Sequence, residues 1–119
     1  MMDLSPSIES MTEPKPLLFA IVDIETNGGA PTGDNITEVA AVLHDGVREI
    51  DRWVQLIRPS SPIPPGITRL TGIDNSMVKD APAFGEAAAD LHQFLGDSVF
   101  VAHNVSFDLK HLQAGFKNA

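Results

Sequence analysis

The 119-residue sequence has no cysteine, and it has only eight lysines and arginines against 16 aspartates and glutamates. The absence of cysteine excludes a disulfide framework and a thiolate metal site, which leaves the carboxylates and the four histidines as side-chain metal ligands. A formal net charge of -8 argues against binding nucleic acid mainly by phosphate neutralisation, since that mode needs clustered basic residues. An acidic site whose bound cations meet a phosphate stays compatible with this charge.

Long apolar runs are also missing. The longest wholly apolar run, Leu17–Val22, is far shorter than the roughly 20 residues that cross a bilayer. The N-terminal residues include Asp3 and Glu9, whereas a secretory signal has a basic cluster followed by an apolar stretch. We therefore expect a cytoplasmic protein. Apolar residues make up 43% and charged residues 20% of the chain, which is typical of one small globular domain.

Three apolar segments in the first half of the chain have the composition of strands. The run at 17–22, which ends at Asp23, predicts a strand buried on both faces of a sheet. Asp45 and Gly46 form a hairpin dipeptide, so the segments on either side of them predict an antiparallel pair. The prolines within 58–66 predict an extended connection. The predicted strands of this half are residues 17–22, 36–43 and 47–57.

The second half of the chain predicts a helix, a strand and another helix. Pro82 is predicted in the first turn of a helix that ends at Gly96. Residues 99–102 predict a brief strand, and Asn104 or Ser106 is predicted to cap the last helix. The apolar residues predicted to be buried are Phe84, Ala88, Leu91 and Leu95 on the first helix, and Val105, Leu109, Leu112 and Phe116 on the second.

The order of these segments predicts an α/β fold. Its single mixed sheet has antiparallel strands 1–3 and a parallel strand 4, and helices flank it. A strand followed by a helix is half of a crossover that normally delivers another parallel strand, so we expect the domain to be truncated before its last strand and helix. The prolines at 6, 14 and 16 predict a flexible leader at 1–16, and residues 17–119 are the predicted domain portion.

Acidic residues follow the first predicted strand. Asp23 and Glu25 are two residues apart, so the pleat places both side chains on the same face. Two converging carboxylates repel each other unless a proton or a cation lies between them, and Mg²⁺ and Mn²⁺ prefer oxygen ligands. Taken alone, the pair is more simply the polar end of a strand. A second polar cluster, His103–Asp108, lies where another strand ends and a helix begins, as active sites of open sheets do.

Two segments resemble the motifs of a known family. Val22–Gly28 and Ala102–Asp108 resemble the first and second motifs of the DEDDh 3′-to-5′ exonucleases, the family of the proofreading epsilon subunit of bacterial DNA polymerase III. Ile67–Ile73 resembles the element that borders the bound 3′ end in this family. The resemblance runs from about Leu17 to the last residue, and it implies a ribonuclease H-like fold.

The same resemblance implies a two-ion site that holds Mg²⁺ or Mn²⁺. Asp23, Glu25 and Asp108 would be the catalytic metal ligands, with Asp23 reaching both ions. The implied reaction is in-line attack of an activated water on the terminal phosphodiester of a single-stranded 3′ end of DNA or RNA, which releases nucleoside monophosphates. The residues implied to bind the substrate are Ile24, Thr26, Leu70, His103, Asn104 and Phe107, although His103 has a simpler role in orienting its loop.

The third motif of the family is a histidine followed five residues later by an aspartate, and it is not found between Asp108 and Ala119. The histidine would be the general base and the aspartate a metal ligand, so we expect this chain to be inactive or weakly active. His111 lies three residues after Asp108 and is predicted as its neighbour on the helix surface, not as a substitute base.

A second class of function stays open at this stage. The ribonuclease H-like scaffold would then be a non-catalytic module that binds a nucleic-acid end or a protein, and the acids would be remnants. A DNA polymerase subunit is a predicted partner by resemblance. The strand at 99–102 is predicted to have an open edge, which favours self-association with another copy.

Overall fold

The computed structural model describes residues 16–119. The leader predicted at 1–16 lies outside the described residues, apart from Pro16. The longest helix of the described range has 14 residues, and none of its helices is long and apolar enough to cross a membrane. In chain order the elements are β1 (Phe19–Thr26), β2 (Ile36–His44), β3 (Glu49–Leu56), α1 (Pro65–Thr71), α2 (Asn75–Val78), α3 (Phe84–Leu95), β4 (Val99–Val101) and α4 (Val105–Asn118).

The four strands form one sheet in the order β3-β2-β1-β4. β2 pairs antiparallel with both β1 and β3, and β4 pairs parallel with β1. This arrangement confirms the predicted mixed sheet. β4 lies at an edge of the sheet, where Val99 is opposite Phe19 and Val101 is opposite Ile21. Self-association through that edge stays a prediction.

The hairpin between β2 and β3 forms at the predicted place but is wider than predicted, because β3 begins at Glu49. The Asp45 carboxylate accepts hydrogen bonds from the backbone N–H groups of Val47 (2.8 Å) and Arg48 (2.9 Å). Gly46 has a φ of 96°, a conformation that residues with a Cβ rarely adopt. The aspartate therefore caps a turn that occupies residues 45–48.

One face of the sheet, here called the covered face, packs against the two long helices α3 and α4. Alternate residues of β1 and β2 lie on it, and Val22 and Val39 are almost fully buried there. Because the pleat alternates side chains between faces, this set comes from the period-2 pattern of both strands. The core comprises Ala20, Val22, Ile24, Ile36, Val39, Ala41, Ile57, Phe84, Ala87, Ala88, Leu91 and Leu112.

The opposite face, here called the open face, is accessible to solvent. Ile21 is 44% exposed, although its neighbour Val22 is 1% exposed. Val54 and Val101 are also exposed on this side. The prediction that β1 is buried on both faces is therefore wrong for the described range. The reason is that α3 and α4 both pack on the covered face.

Helix α3 ends as predicted, at Gly96, whose N–H donates to the carbonyl of His92 (3.1 Å). Its start differs, because Pro82 precedes the helix and Ala83 is the N-cap residue. The backbone N–H of Ala83 donates to the carboxylate of Glu86 (3.0 Å). This contact satisfies one of the backbone donors that a helix start leaves unpaired.

Helix α4 has the predicted cap but a different buried stripe. The side chain of Asn104 accepts a hydrogen bond from the N–H of Phe107 (3.3 Å). Val105 was predicted to be buried and is 45% exposed. A Cβ on Gly115 would lie 2.5 Å from the ring of Phe84, so close contact with α3 at this glycine sets the rotation of α4. The buried residues of α4 are Asp108, His111, Leu112 and Gly115.

The proline-rich segment corrects the prediction of an extended connection over 58–66. Helix α1 begins at Pro65, with Pro64 as its N-cap residue. Proline is compatible with the first turn of a helix, because the backbone N–H that it lacks would have no partner there. The short helix α2 follows, and the side chain of Asp74 caps it by accepting from the N–H of Met77 (2.9 Å). Neither helix was predicted from the sequence.

Candidate active site

Two acidic side chains lie at the end of β1 on the open face. Asp23 is exposed and Glu25 is half-buried, and the buried Ile24 between them faces the core. The side chains of Asp23 and Glu25 therefore lie on the same face of the sheet, as the strand period predicts. The ladder with β2 brings Glu38 opposite Glu25, and the register shifts after this pair. A third carboxylate thus joins the two that the sequence predicted.

Asp108 comes from the first turn of α4, far along the chain, and is only 4% exposed. Burial and then the charge of Asp23 raise the pKa of Asp108, while the charge of His103 acts in the opposite direction. Burial and then the charges of Asp23, Glu38 and Asp108 raise the pKa of Glu25. The structure therefore brings the three predicted carboxylates within electrostatic reach of one another.

This donor set fits a hard divalent cation in its chemistry. Carboxylate oxygens are the ligands that Mg²⁺ and Mn²⁺ prefer, and a cation would relieve the repulsion that raises the pKa values of Glu25 and Asp108. Among residues 16–119, however, no three Asp, Glu or His side chains stand close enough to hold one ion between them.

A cavity of about 220 Å³, here called the slot, adjoins the acids. Five residues that the sequence predicted to bind metal or substrate line the slot: Ile24, Glu25, Thr26, Leu70 and Phe107. Leu70 is 82% exposed and Phe107 is 41% exposed, so both present apolar surface to solvent. The full lining comprises Ile24, Glu25, Thr26, Gly28, Gly29, Ile67, Leu70, Thr71 and Phe107.

The slot also contains residues that the sequence analysis did not single out. Ile67 and Thr71 are one helical turn apart on α1 and line the slot together with Leu70. Gly28 has a φ of 87°, and a Cβ there would lie 3.0 Å from the side chain of Ile67. The N–H of Gly28 donates to the hydroxyl of Thr26 (3.1 Å). The signal for Ile67 and Thr71 was the segment Ile67–Ile73, which becomes informative once it is read as a helix.

The two other residues predicted to bind substrate are not in the slot. His103 is exposed and acts on Asp108 by its charge. Asn104 lines a neighbouring cavity and caps α4. His111, predicted on the helix surface, is 1% exposed, and its ring centroid lies 4.6 Å from that of Phe107. Burial lowers the pKa of His111, and its Nδ1 has no hydrogen-bond partner among the described residues.

Residues 20–119 are similar to known nucleases. A family model described as Exonuclease (RNase_T) matches residues 20–119. A putative bifunctional exonuclease/endonuclease protein of Mycobacterium tuberculosis is 43% identical over 102 residues, which cover 81% of this chain. The 3′-5′ exonuclease DinG of Staphylococcus epidermidis is 40% identical, and the PolC-type DNA polymerase III of Bacillus cereus is 38% identical, with 83% and 85% of this chain covered. The chain spans only 16%, 11% and 7% of the lengths of these relatives.

Solved structures share the fold. Exonuclease X in complex with 5′-overhanging duplex DNA is 31% identical with a TM-score of 0.67, and the match covers 79% of this chain and 53% of that one. The zinc-bound form of an Escherichia coli exonuclease I complex with single-stranded DNA is 23% identical with a TM-score of 0.76, covering 87% and 24%. These neighbours confirm the ribonuclease H-like sheet predicted from the sequence. The family match over most of the chain and the identity with curated nucleases show that this chain belongs to the exonuclease family, consistent with its DEDDh branch.

Proposed function

We propose that this chain carries three carboxylates of a metal-dependent 3′-to-5′ exonuclease centre, and that a further histidine and aspartate complete it. Asp23, Glu25 and Asp108 would hold Mg²⁺ or Mn²⁺ beside the terminal phosphodiester of a single-stranded DNA or RNA end. When bound, the cation supplies positive charge to the phosphate and makes water a better nucleophile. The products are nucleoside monophosphates.

One observation carries this proposal. Carboxylates from two distant chain segments act on one another at the end of β1, and an open slot with apolar walls adjoins them. A pure packing role does not account for this arrangement. The raised pKa values of Glu25 and Asp108 reflect loss of hydration and repulsion from neighbouring carboxylates, which destabilise the ionised groups at neutral pH. The family to which the chain belongs generally uses divalent metal ions, which agrees with an acidic site of hard oxygen donors.

The slot would receive the terminal nucleotide. Leu70 and Phe107 offer apolar surfaces on which a base can stack or be wedged, and such contacts do not depend on base identity. Thr26 would face the 3′ end, and Ile24 would form part of the slot wall. Asn104 would support this wall by capping the helix that carries Phe107. Binding of substrate by His103, the cytoplasmic location and a polymerase partner stay predictions.

A Mn²⁺ titration tests the metal site. We expect Asp23→Ala to weaken Mn²⁺ binding by roughly tenfold, equivalent to about 1.4 kcal/mol, because the ion loses a charged oxygen ligand. Asp90→Ala is the matched control: it removes the same charge from an exposed position on α3, and its affinity should equal that of wild type. Superimposable isotherms for wild type and Asp23→Ala would remove the metal site.

Release of a labelled nucleotide from the 3′ end of a single-stranded oligonucleotide tests the activity. With Mn²⁺ we expect this chain to release the label slowly, and Asp23→Ala to abolish even that release. Robust turnover by the chain would overturn the claim that further groups are needed. Residual release that is equal in wild type and Asp23→Ala would overturn the exonuclease assignment itself.

The second candidate is a module that binds a nucleic-acid end without cleaving it. The slot favours it, because the apolar surfaces of Leu70 and Phe107 can hold a nucleotide without a cation. A binding module would hold a 3′-terminal oligonucleotide equally well in Mn²⁺ and in EDTA. An exonuclease centre would hold it more tightly in Mn²⁺, because the acids repel the phosphate until cations neutralise them.

A further inference from the structure

Two walls of the slot come from distant parts of the chain. The end of β1 and the loop after it form one wall, and helix α1 forms the other. None of the seven residues of α1 is fully buried, so burial of apolar surface fixes this helix only weakly. The width of the slot therefore depends on the contacts that hold α1 near the end of β1. The residues of the α1 wall are Ile67, Leu70 and Thr71.

Helix α1 belongs to a small cluster that is separate from the core beneath the covered face. Ile67 packs against this cluster, whose buried residues are Ile63, Ile73 and Val78. The side chain of Asn75 accepts a hydrogen bond from the N–H of Ile63 (2.8 Å) and donates to its carbonyl (3.1 Å). These contacts hold the small cluster together, whereas the position of α1 relative to β1 depends on further contacts.

Asn27 joins the end of β1 to the segment that leads into α1. Its side-chain amide donates to the hydroxyl of Ser61 (2.9 Å) and to the carbonyl of the same residue (3.3 Å). The side-chain oxygen of Asn27 accepts from the N–H of Gly29 (3.0 Å), and the residue is 5% exposed. Ser61 directly precedes Pro62 and Ile63 in the chain. One buried side chain therefore bridges the loop after β1 and the small cluster.

The place of Asn27 in the chain puts this bridge beside the slot. Thr26 and Gly28, on either side of it, line the slot, and Asn27 does not. A Cβ on Gly28 would lie 3.0 Å from the side chain of Ile67, so the backbone beside Asn27 and the α1 wall lie close together. Buried amides are hydrogen-bonded in most folds. The distinguishing feature of Asn27 is its partner, the exposed Ser61, which is 34 residues away in the chain.

We infer that Asn27 is a positioning residue for the slot: through Ser61 it fixes the α1 wall and so raises the affinity for the terminal nucleotide. A wall that is held in place before binding loses less conformational freedom when the ligand arrives. Asn27 is neutral and does not line the slot, so it acts through α1 and not by contact with the nucleotide. The inference rests on the proposed function, because the slot must receive a nucleotide.

Binding of thymidine monophosphate, titrated in Mn²⁺, tests the inference. Ser61→Ala removes the hydroxyl that accepts from Asn27, and it should weaken monophosphate binding by about fivefold, the effect of one hydrogen bond. Asn27→Ala should weaken this binding at least as much. Because Ser61 is exposed, its variant stays decisive even where Asn27→Ala does not fold. Mn²⁺ binding without nucleotide should be unchanged in Ser61→Ala, because the bridge positions α1 and not the acids.

Three further variants show whether the effect belongs to this one contact. Ser76→Ala removes an exposed hydroxyl that bonds to Asp74 at the start of α2, and it should bind the monophosphate and Mn²⁺ as wild type does. Ser61→Thr keeps the hydroxyl and should retain the affinity for the monophosphate. The double variant of Asn27→Ala with Ser61→Ala should bind no more weakly than Asn27→Ala alone, because the two residues form one contact.

Several results would overturn the positioning role. Ser61→Ala could bind the monophosphate as wild type does, or it could weaken monophosphate and Mn²⁺ binding equally, as a general loss of structure would. Additive losses in the double variant would show that the two side chains act separately. If wild type binds Mn²⁺ but not the monophosphate, the slot does not receive a nucleotide, and the proposed function fails together with this inference.

Discussion

The two faces of the sheet differ in what covers them, although β1 supplies both with apolar side chains. On the covered face Val22 and Ile24 are 1% and 4% exposed, and on the open face Ile21 is 44% exposed. The acidic residues Asp23 and Glu25 lie on the open face. The apolar residues that stabilise the fold and the acidic residues of the candidate site therefore lie on opposite faces of the same strand.

The separation has a physical reason. Burial is costly for a carboxylate, and it raises the pKa of Asp108, which is 4% exposed on α4. On the open face a carboxylate keeps access to water and to cations. Burial on one side positions the strand, and exposure on the other side leaves its acids available. Asp23 and Glu25 are therefore accessible to ions from the open face.

The largest expected effect comes from truncating the same residue type on each face of β1. Ile24→Ala should lower the free energy of unfolding by about 2–5 kcal/mol, because it leaves a cavity in the core. Ile21→Ala should lower it by less than about 1 kcal/mol. Urea denaturation at low protein concentration measures both values. Equal losses would mean that the open face is covered in solution, and the comparison between faces would fail.

A smaller effect is expected where α4 meets α3 on the covered face. In Gly115→Ala the new methyl group would collide with the ring of Phe84, and the overpacking should cost about 1–3 kcal/mol. Gly85→Ala is the matched control on α3, since nothing lies within 4 Å of its added Cβ. It should raise the free energy of unfolding by roughly 0.5–1 kcal/mol through better helix propensity. Changes of the same sign in the two variants would contradict this close contact.

Most of the sheet was predictable, because strand signals are local. The apolar runs and the Asp45-Gly46 hairpin dipeptide indicated four strands, and the structure confirms their pairing. The burial of β1 was not predictable, because its composition suits a strand covered on both sides. Which helices cover which face depends on tertiary contacts, such as the one at Gly115. The same contact explains why Val105 is exposed.

The candidate site was predictable only where it depends on a local sequence pattern. The placement of Asp23 and Glu25 on one face follows from the strand period alone. Glu38 joins them only through the register of β1 with β2, which no local pattern specifies. Ile67 and Thr71 were missed because the prolines before them were read as an extended connection. The burial of His111 depends on the rotation of α4, which the contact between α4 and α3 sets.

The smallest expected effect concerns the cluster formed by Asp23, Glu25 and Asp108. The pKa values of Glu25 and Asp108 are raised in the folded protein, so the folded state binds more protons than the unfolded state above about pH 4. Stability therefore falls as the pH rises through the window between the ordinary and the raised pKa values. Asp23 contributes to both shifts. Asp23→Asn should then stabilise the protein at pH 7, on the order of 0.5 kcal/mol at low salt.

The control for this effect must remove a charge without touching the cluster. Asp90→Asn changes the net charge equally from an exposed position on α3, and it should stabilise the protein less at pH 7. Urea denaturation of the two variants and wild type at pH 7 and near pH 4 gives the comparison. Near pH 4 the advantage of Asp23→Asn should shrink, because protonation of Glu25 and Asp108 already relieves the repulsion. A gain that is equal at both pH values, or equal to that of Asp90→Asn, would show that the acids of the cluster do not interact.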